Sequence, residues 1–268
     1  MPSTPGLRDF VRFATLAANS HNTQPWKFRL GDDAVDILPD FSRRTPAVDP
    51  DDHHLYVTLG CAAENLVIAA NASGRLEESA KMPGVDVVII TDRARLDDAL
   101  DYIQQGNGAQ FDDPAFIREL KSWIRFNPAA ALKTGDGLSG PSTGNPNAPS
   151  WLGPFIFDLA FNKTAENKKL AKQLNSSAGL AIFIADEETP EGWIKVGCAF
   201  ERFALQATIL GIRHAHVNMP IEVAELRPAF ANWLGIPGRR PDLVIRFGKA
   251  PAMPMSMRRS MDSVLVPA

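Results

Sequence analysis

Only two cysteines, Cys61 and Cys198, occur in the 268 residues. That count excludes a disulfide-stapled scaffold and a metal centre built on thiolates, and both residues read as buried thiols inside apolar helical patterns. Long apolar runs are also missing. No segment approaches the roughly 18 uninterrupted apolar residues that a spanning helix needs, and Met1–Asp9 shows no charged stretch leading into an apolar one. The expectation is a soluble, cytoplasmic protein with no membrane partner. Positive charge is not in excess either. Against 28 Lys plus Arg stand 31 Asp plus Glu, a formal net charge of -3, so no overall field exists to hold a polyanion and nucleic acid is not expected as a partner.

Several motifs are absent. No G-x-G-x-x-G follows a strand and no G-x-x-x-x-G-K-[ST] occurs, while Gly106–Gly108 is too short to count, so neither a dinucleotide cradle nor a nucleoside-triphosphate loop is supported. There is no G-x-S-x-G elbow, and His21, His53, His54, His214 and His216 all lack a recognisable nucleophile partner, which sets a hydrolase aside. His214 and His216 alternate and would share a face on a strand, yet nothing nearby completes a metal-ligand set. His53 and His54 follow the acidic Asp49–Asp52 turn and read as surface or lid residues.

What is present is a globular composition, 45% hydrophobic, long enough to bury a substantial core. It also contains an internal echo. Gly60–Gly74 (GCAAENLVIAANASG) and Gly197–Gly211 (GCAFERFALQATILG) lie 137 residues apart and share six of fifteen positions, where unrelated segments would share about one. Each is followed by an apolar strand candidate, Asp86–Ile90 (DVVII) and Asp242–Arg246 (DLVIR), with 19 additional residues between helix and strand in the second copy. Leu59, Ala63, Leu66 and Ala70 in one helix, and Val196, Phe200, Phe203, Ala207 and Leu210 in the other, keep helical spacing. The reading is two related halves, residues 1–112 and 113–268, forming one compact unit whose repeat helices meet near a pseudo-two-fold axis.

Further helices are predicted at Gly6–Ala18, Asp113–Phe126, Glu166–Leu174 and Val223–Leu234, and strands at Trp26–Leu30, Val35–Leu38 and Leu180–Ala185. Gly135–Pro154, dense in Gly, Pro, Ser and Asn, reads as a long loop of the kind that often covers a site.

The densest polar cluster follows the first helix, at Asn19–Trp26 (NSHNTQPW). Before Pro25 stops the helix, Asn19, Ser20, His21, Asn22 and Gln24 present side chains that donate and accept hydrogen bonds, a set suited either to gripping the polar edge of a planar ring or to capping the turn itself. Ala18–Trp26 resembles the A-P-S-x-x-N-x-Q-P-W segment of the nitroreductase family, with Asn22, Gln24, Pro25 and Trp26 matching and Ala18 and Asn19 departing. The resemblance implies that Asn19, Ser20, His21, Asn22 and Gln24 line an FMN.

Met219–Val223 (MPIEV) is similar to the family's P-I-E-G segment, whose main chain faces the flavin. Pro220, Ile221 and Glu222 match, and Val223 stands where Gly is usual, so Asn218 or Met219 is an alternative contact. For the phosphate, the resemblance implies Arg258 and Arg259 near the end, with Arg125 and Asn127 of the WIRFN segment opening the second half. A surface location is the plain alternative for each arginine.

Taken together, the resemblance implies an α+β fold with a mainly antiparallel sheet flanked by helices, built as an internal pseudo-dimer. The implied function is an FMN-dependent oxidoreductase that passes hydride from NAD(P)H to a nitro, quinone or similar small acceptor, with no catalytic side chain strictly required and no metal. The rival is an FMN-binding protein that sequesters the flavin with little catalysis. A homodimer beyond the internal pairing is compatible with either.

Overall fold

The computed structural model describes residues 6–32, 34–71, 82–143 and 147–267, without the side chains of residues 70, 71 and 141. The predicted Ala70 contact, the Gly74 end of the first repeat and part of the Gly-rich segment therefore lie outside the described residues.

Along the chain come α1 (Leu7–Ala14), β1 (Trp26–Leu30), β2 (Val35–Pro39), α2 (His53–Asn71), β3 (Val85–Ile90), α3 (Arg93–Asp112), α4 (Pro114–Trp123), β4 (Ile124–Arg125), α5 (Pro128–Thr134) and β5 (Leu138–Ser139). Next are α6 (Gly140–Thr143), α7 (Gly153–Ala160), α8 (Lys163–Asn175), β6 (Gly179–Ala185), α9 (Pro190–Ile209), β7 (Arg213–His216), α10 (Met219–Glu222), α11 (Arg227–Leu234), β8 (Leu243–Gly248), α12 (Met261–Val264) and β9 (Leu265–Val266). Local chemistry fixes five of these helix starts. Asp92, Asp113, Asn127, Asn162 and Thr189 each accept a main-chain N–H from the first turn of α3, α4, α5, α8 and α9, and proline opens α4, α5 and α9.

The architecture is α+β. Four strands pair in the order β3-β6-β8-β7, every pairing antiparallel. A smaller sheet, β2-β1-β9, joins the C-terminal strand in parallel to β1, with Phe28 opposite Leu265. β6 is buried along its whole length. Its alternation sends Ala181, Phe183 and Ala185 into a core with α1, α2 and α9, and Leu180, Ile182 and Ile184 into a second core with α3, α8 and α11. An uninterrupted apolar strand is what helices on both faces require.

The repeat helices α2 and α9 meet reciprocally. A Cβ at Gly60 would be driven into the carbonyl oxygen of Ile194, and one at Gly197 into that of Val57. Cys61 Sγ donates to the Gly197 carbonyl (3.3 Å) and Cys198 Sγ to the Gly60 carbonyl (3.2 Å). Exchanging the two segments reproduces the same contacts, as a two-fold axis does between identical subunits. The reciprocity stops at the helices. β3 and β8, which follow them in sequence, flank β6 within one sheet and run parallel to each other.

Several expectations shift in detail. α1 ends at Ala14, the helix expected over Val223–Leu234 begins only at Arg227 as α11, and Gly135–Pro154 carries β5, α6 and the start of α7. α3, twenty residues long, was not foreseen. Among the described residues no helix is long and apolar enough to cross a membrane.

Candidate functional site

The corner after α1 is built on unusual backbone. His21, Asn22 and Gln24 all hold left-handed torsions, with φ of 48°, 53° and 52°, a region that non-glycine residues occupy at a cost and that clusters at functional sites. The corner is held from within by Asn19, whose Oδ1 accepts the Gln24 N–H (2.8 Å). From outside, Asn22 Nδ2 donates to the carbonyls of Gly137 (3.3 Å) and Met257 (3.1 Å), and Gln24 Nε2 donates to that of Gly135 (2.9 Å) while its Oε1 accepts the Arg259 N–H (2.9 Å). Asn22 and Gln24 thus fasten the Gly135–Gly137 loop and the C-terminal segment to the corner.

Beside this corner lies a cavity of about 360 Å³. The corner gives it Ala18, Asn19, Ser20 and His21, and α2 gives His54, Val57, Thr58 and Cys61. Opposite stand His216, Asn218, Met219 and Glu222, with Gln110, Phe116, Leu138, Phe200 and Leu243 completing the wall. Most of the polar wall opposite the corner lies between α9 and β8. Gly106 in α3 makes this possible, because a Cβ there would overlap the main chain of Met219. With the helix so close, Gln110 Nε2 donates to Glu222 Oε2 (2.6 Å). Asn218 is fixed by accepting the Val244 N–H (2.8 Å).

The lining is polar, and burial shifts its titratable groups toward their neutral forms. Burial, with His54 nearby, lowers the His21 imidazole to about 4, and burial with His214 and His54 nearby lowers His216 to about 3. His54 is likewise pushed well down by burial. Burial raises Glu222 to about 7 against the opposing pull of its bond from Gln110. His216 keeps accessible surface by area, and its ring, 5.0 Å from that of Phe200, faces the cavity. Two ring nitrogens here, His21 Nδ1 and His54 Nε2, are buried with no hydrogen-bond partner. Such groups call for a ligand or water.

Of the residues nominated from sequence, the structure brings Asn19, Ser20, His21, Asn218, Met219 and Glu222 to this one cavity. The others lie outside its lining. Pro220 is buried in the first turn of α10. Arg258 donates to the carbonyls of Thr15 (2.7 Å) and Leu16 (3.0 Å) and to Asn22 Oδ1 (3.2 Å), and Arg259 to the carbonyls of Gln24 (3.1 Å) and Ser263 (2.9 Å). Arg125 pairs with Asp136 (2.7 Å), which Arg43 also holds, and Asn127 caps α5. Val223, where Gly was the expectation, has φ of -88°, so the position makes no demand for glycine.

Sequence reasoning missed His54, Thr58 and Gln110, which no motif marks and which only the packing of α2 and α3 brings to the cavity. It also placed His53 and His54 on the surface, and here the structure corrects it: both are buried, and His53 Nε2 lies 2.8 Å from Asp242 Oδ1. Asp49 draws them inward by accepting the N–H groups of His54 and Leu55 at the start of α2. Asp49, His53 and His54 bring potential metal-ligand atoms within 4.8 Å of one another, the one such group of three among the described residues. Its carboxylate oxygens already cap the helix, so it reads as structural.

No family model matches the chain. It is 23% identical, over 98% of its own length and 92% of theirs, to two proteins of Mycobacterium tuberculosis, strains CDC 1551 and H37Rv, each provisionally named an NAD(P)H nitroreductase. The crystal structure of the FMN-dependent nitroreductase NfnB from Mycobacterium smegmatis with NADPH aligns with 67% of this chain and 77% of its own, at a TM-score of 0.43 and 13% identity, a likeness too slight to carry an argument. Along nearly its whole sequence the chain is thus similar to proteins that carry the nitroreductase name.

Proposed function

We propose that the chain is an FMN-dependent oxidoreductase that takes hydride from NAD(P)H and passes it to a nitro, quinone or similar small acceptor. The observation that carries this reading is convergence. Two segments distant in sequence, Asn19–His21 and Asn218–Glu222, were each assigned to a flavin by resemblance alone, and they line one cavity. The names of the M. tuberculosis relatives support the same direction. The division into halves at residues 1–112 and 113–268 belongs to this reading.

The cavity residues suit the flavin ring. Its apolar walls, Val57, Phe116, Leu138, Phe200 and Leu243, would cover a planar face, and the unpartnered nitrogens of His21 and His54 would meet polar ring atoms. A bound flavin supplies two-electron hydride chemistry. The protein's own part is positional: the corner and α10 orient the ring, and the buried walls limit water. Cys61 takes no part as a nucleophile, since burial raises its thiol and its hydrogen goes to Gly197.

Anaerobic addition of NADPH to the FMN-loaded protein is the test. Rapid bleaching of the flavin colour, restored by a quinone, is the expected result. Tight retention of FMN without bleaching would overturn the enzyme reading in favour of sequestration.

A further inference from the structure

Among the described residues that line the cavity, none carries a positive charge to neutralise a phosphate. Among its lining residues there is no lysine or arginine, and its one carboxyl group belongs to Glu222. The arginines that the resemblance assigns to a phosphate are engaged elsewhere. Arg258 and Arg259 bind main-chain carbonyls that tie α1 and the corner to the C-terminus. Arg125 and Arg43 share Asp136, a residue 7% exposed, and both stack on Trp123. Freeing Arg258 or Arg259 would take a partner from the main-chain carbonyl of buried Thr15 or Gln24, and freeing Arg43 and Arg125 together would leave the Asp136 carboxylate unpaired.

Resting on the flavin reading above, the geometry points to a site that recognises the uncharged isoalloxazine ring and leaves the phosphate unclamped, so that flavins with and without a phosphate bind alike. The ring is gripped by apolar walls and by neutral donors and acceptors, and the ribityl phosphate extends beyond them. The ligand class is then a neutral planar heteroaromatic, with FMN one member among others. The lining agrees with this: burial favours the neutral imidazoles of His21 and His54, and an ionised Glu222 would repel a phosphate rather than attract it.

Equilibrium titration of the wild-type protein with riboflavin and with FMN, followed by quenching of flavin fluorescence, tests the inference. The two affinities should agree within about threefold, FMN binding should be insensitive to salt, and inorganic phosphate should not displace FMN. A phosphate held by two charge-assisted bonds would favour FMN on the order of a hundredfold. That preference, weakening with salt or with added phosphate, would overturn the inference while leaving the flavin reading intact. Binding of neither flavin would end both. Ser20→Trp, at the half-buried edge of the cavity, locates the site: equal weakening of both ligands supports it, and unchanged binding would place the ring elsewhere and overturn it.

Discussion

Asn22 and Gln24 show how a side chain chosen for ligand chemistry in a sequence can serve the fold instead. Their amides bind Gly135, Gly137, Met257 and Arg259 rather than facing the cavity. Asn22→Ala should therefore destabilise the protein by roughly 2–4 kcal/mol, since it strands buried partners and puts alanine in a left-handed conformation. Urea unfolding measures this, and an unchanged midpoint would restore a ligand role. Glu201 offers a second case. At an offset of 137 it corresponds to Glu64, which pairs with Arg202 (2.7 Å), whereas Glu201 has Asn65 as its side-chain partner, with the Arg258 charge nearby but not in a salt bridge with it among the described residues. Burial raises its carboxyl to about 7, against the bonds from Asn65 and the Ala18 main chain. Between its ordinary range near 4.5 and that value the folded chain keeps a proton that the unfolded chain releases, so this residue's contribution to stability is lost as pH rises across the window. The stability advantage of wild type over Glu201→Gln should fall by about 3 kcal/mol at most from pH 4.5 to 7.5. A difference that does not vary with pH would contradict the assignment. At this scale the polar corner was legible because its residues are contiguous. His54 and Gln110 were not, because only the fold turns them toward the same space.

Helices α2 and α9 are where the sequence was most informative. Their shared glycines and cysteines mark the surfaces on which they touch, and the reason is steric: two helices can approach this closely only where side chains are missing. Gly60→Ala and Gly197→Ala should each cost about 3 kcal/mol or more, because the added Cβ meets a helix carbonyl rather than a side chain that can move aside. Chemical denaturation of each variant provides the check, and a loss below about 0.5 kcal/mol would show that the helices part easily. β1, β2, β3, β6 and β8 were legible from apolar runs between breakers, whereas the short β4, β5, β7 and β9 were not. α3 was not, since Gly106 and Gly108 and a polar surface mask the spacing of Leu96, Ala99 and Ile103 that faces its core. Gly106 weakens the helix as a helix while allowing it to approach Met219, a tertiary gain invisible to local propensity.

For the whole molecule, what the chain achieves is the meeting of its two ends. β9 pairs with β1, Arg258 ties the C-terminal segment to α1, and the cavity takes its walls from residues between Ala18 and Leu243. The sequence suggested two halves because the helices repeat. It could not show that the related strands share one sheet, since pairing depends on where β6 inserts between them. The central claim is that this cavity holds a flavin ring. A crystal structure of the protein with FMN tests it most directly. The account predicts the ring between His21 and Met219, with one of its polar atoms bonded to His21 Nδ1 or His54 Nε2. Density for the ring at any other place on the molecule would contradict it.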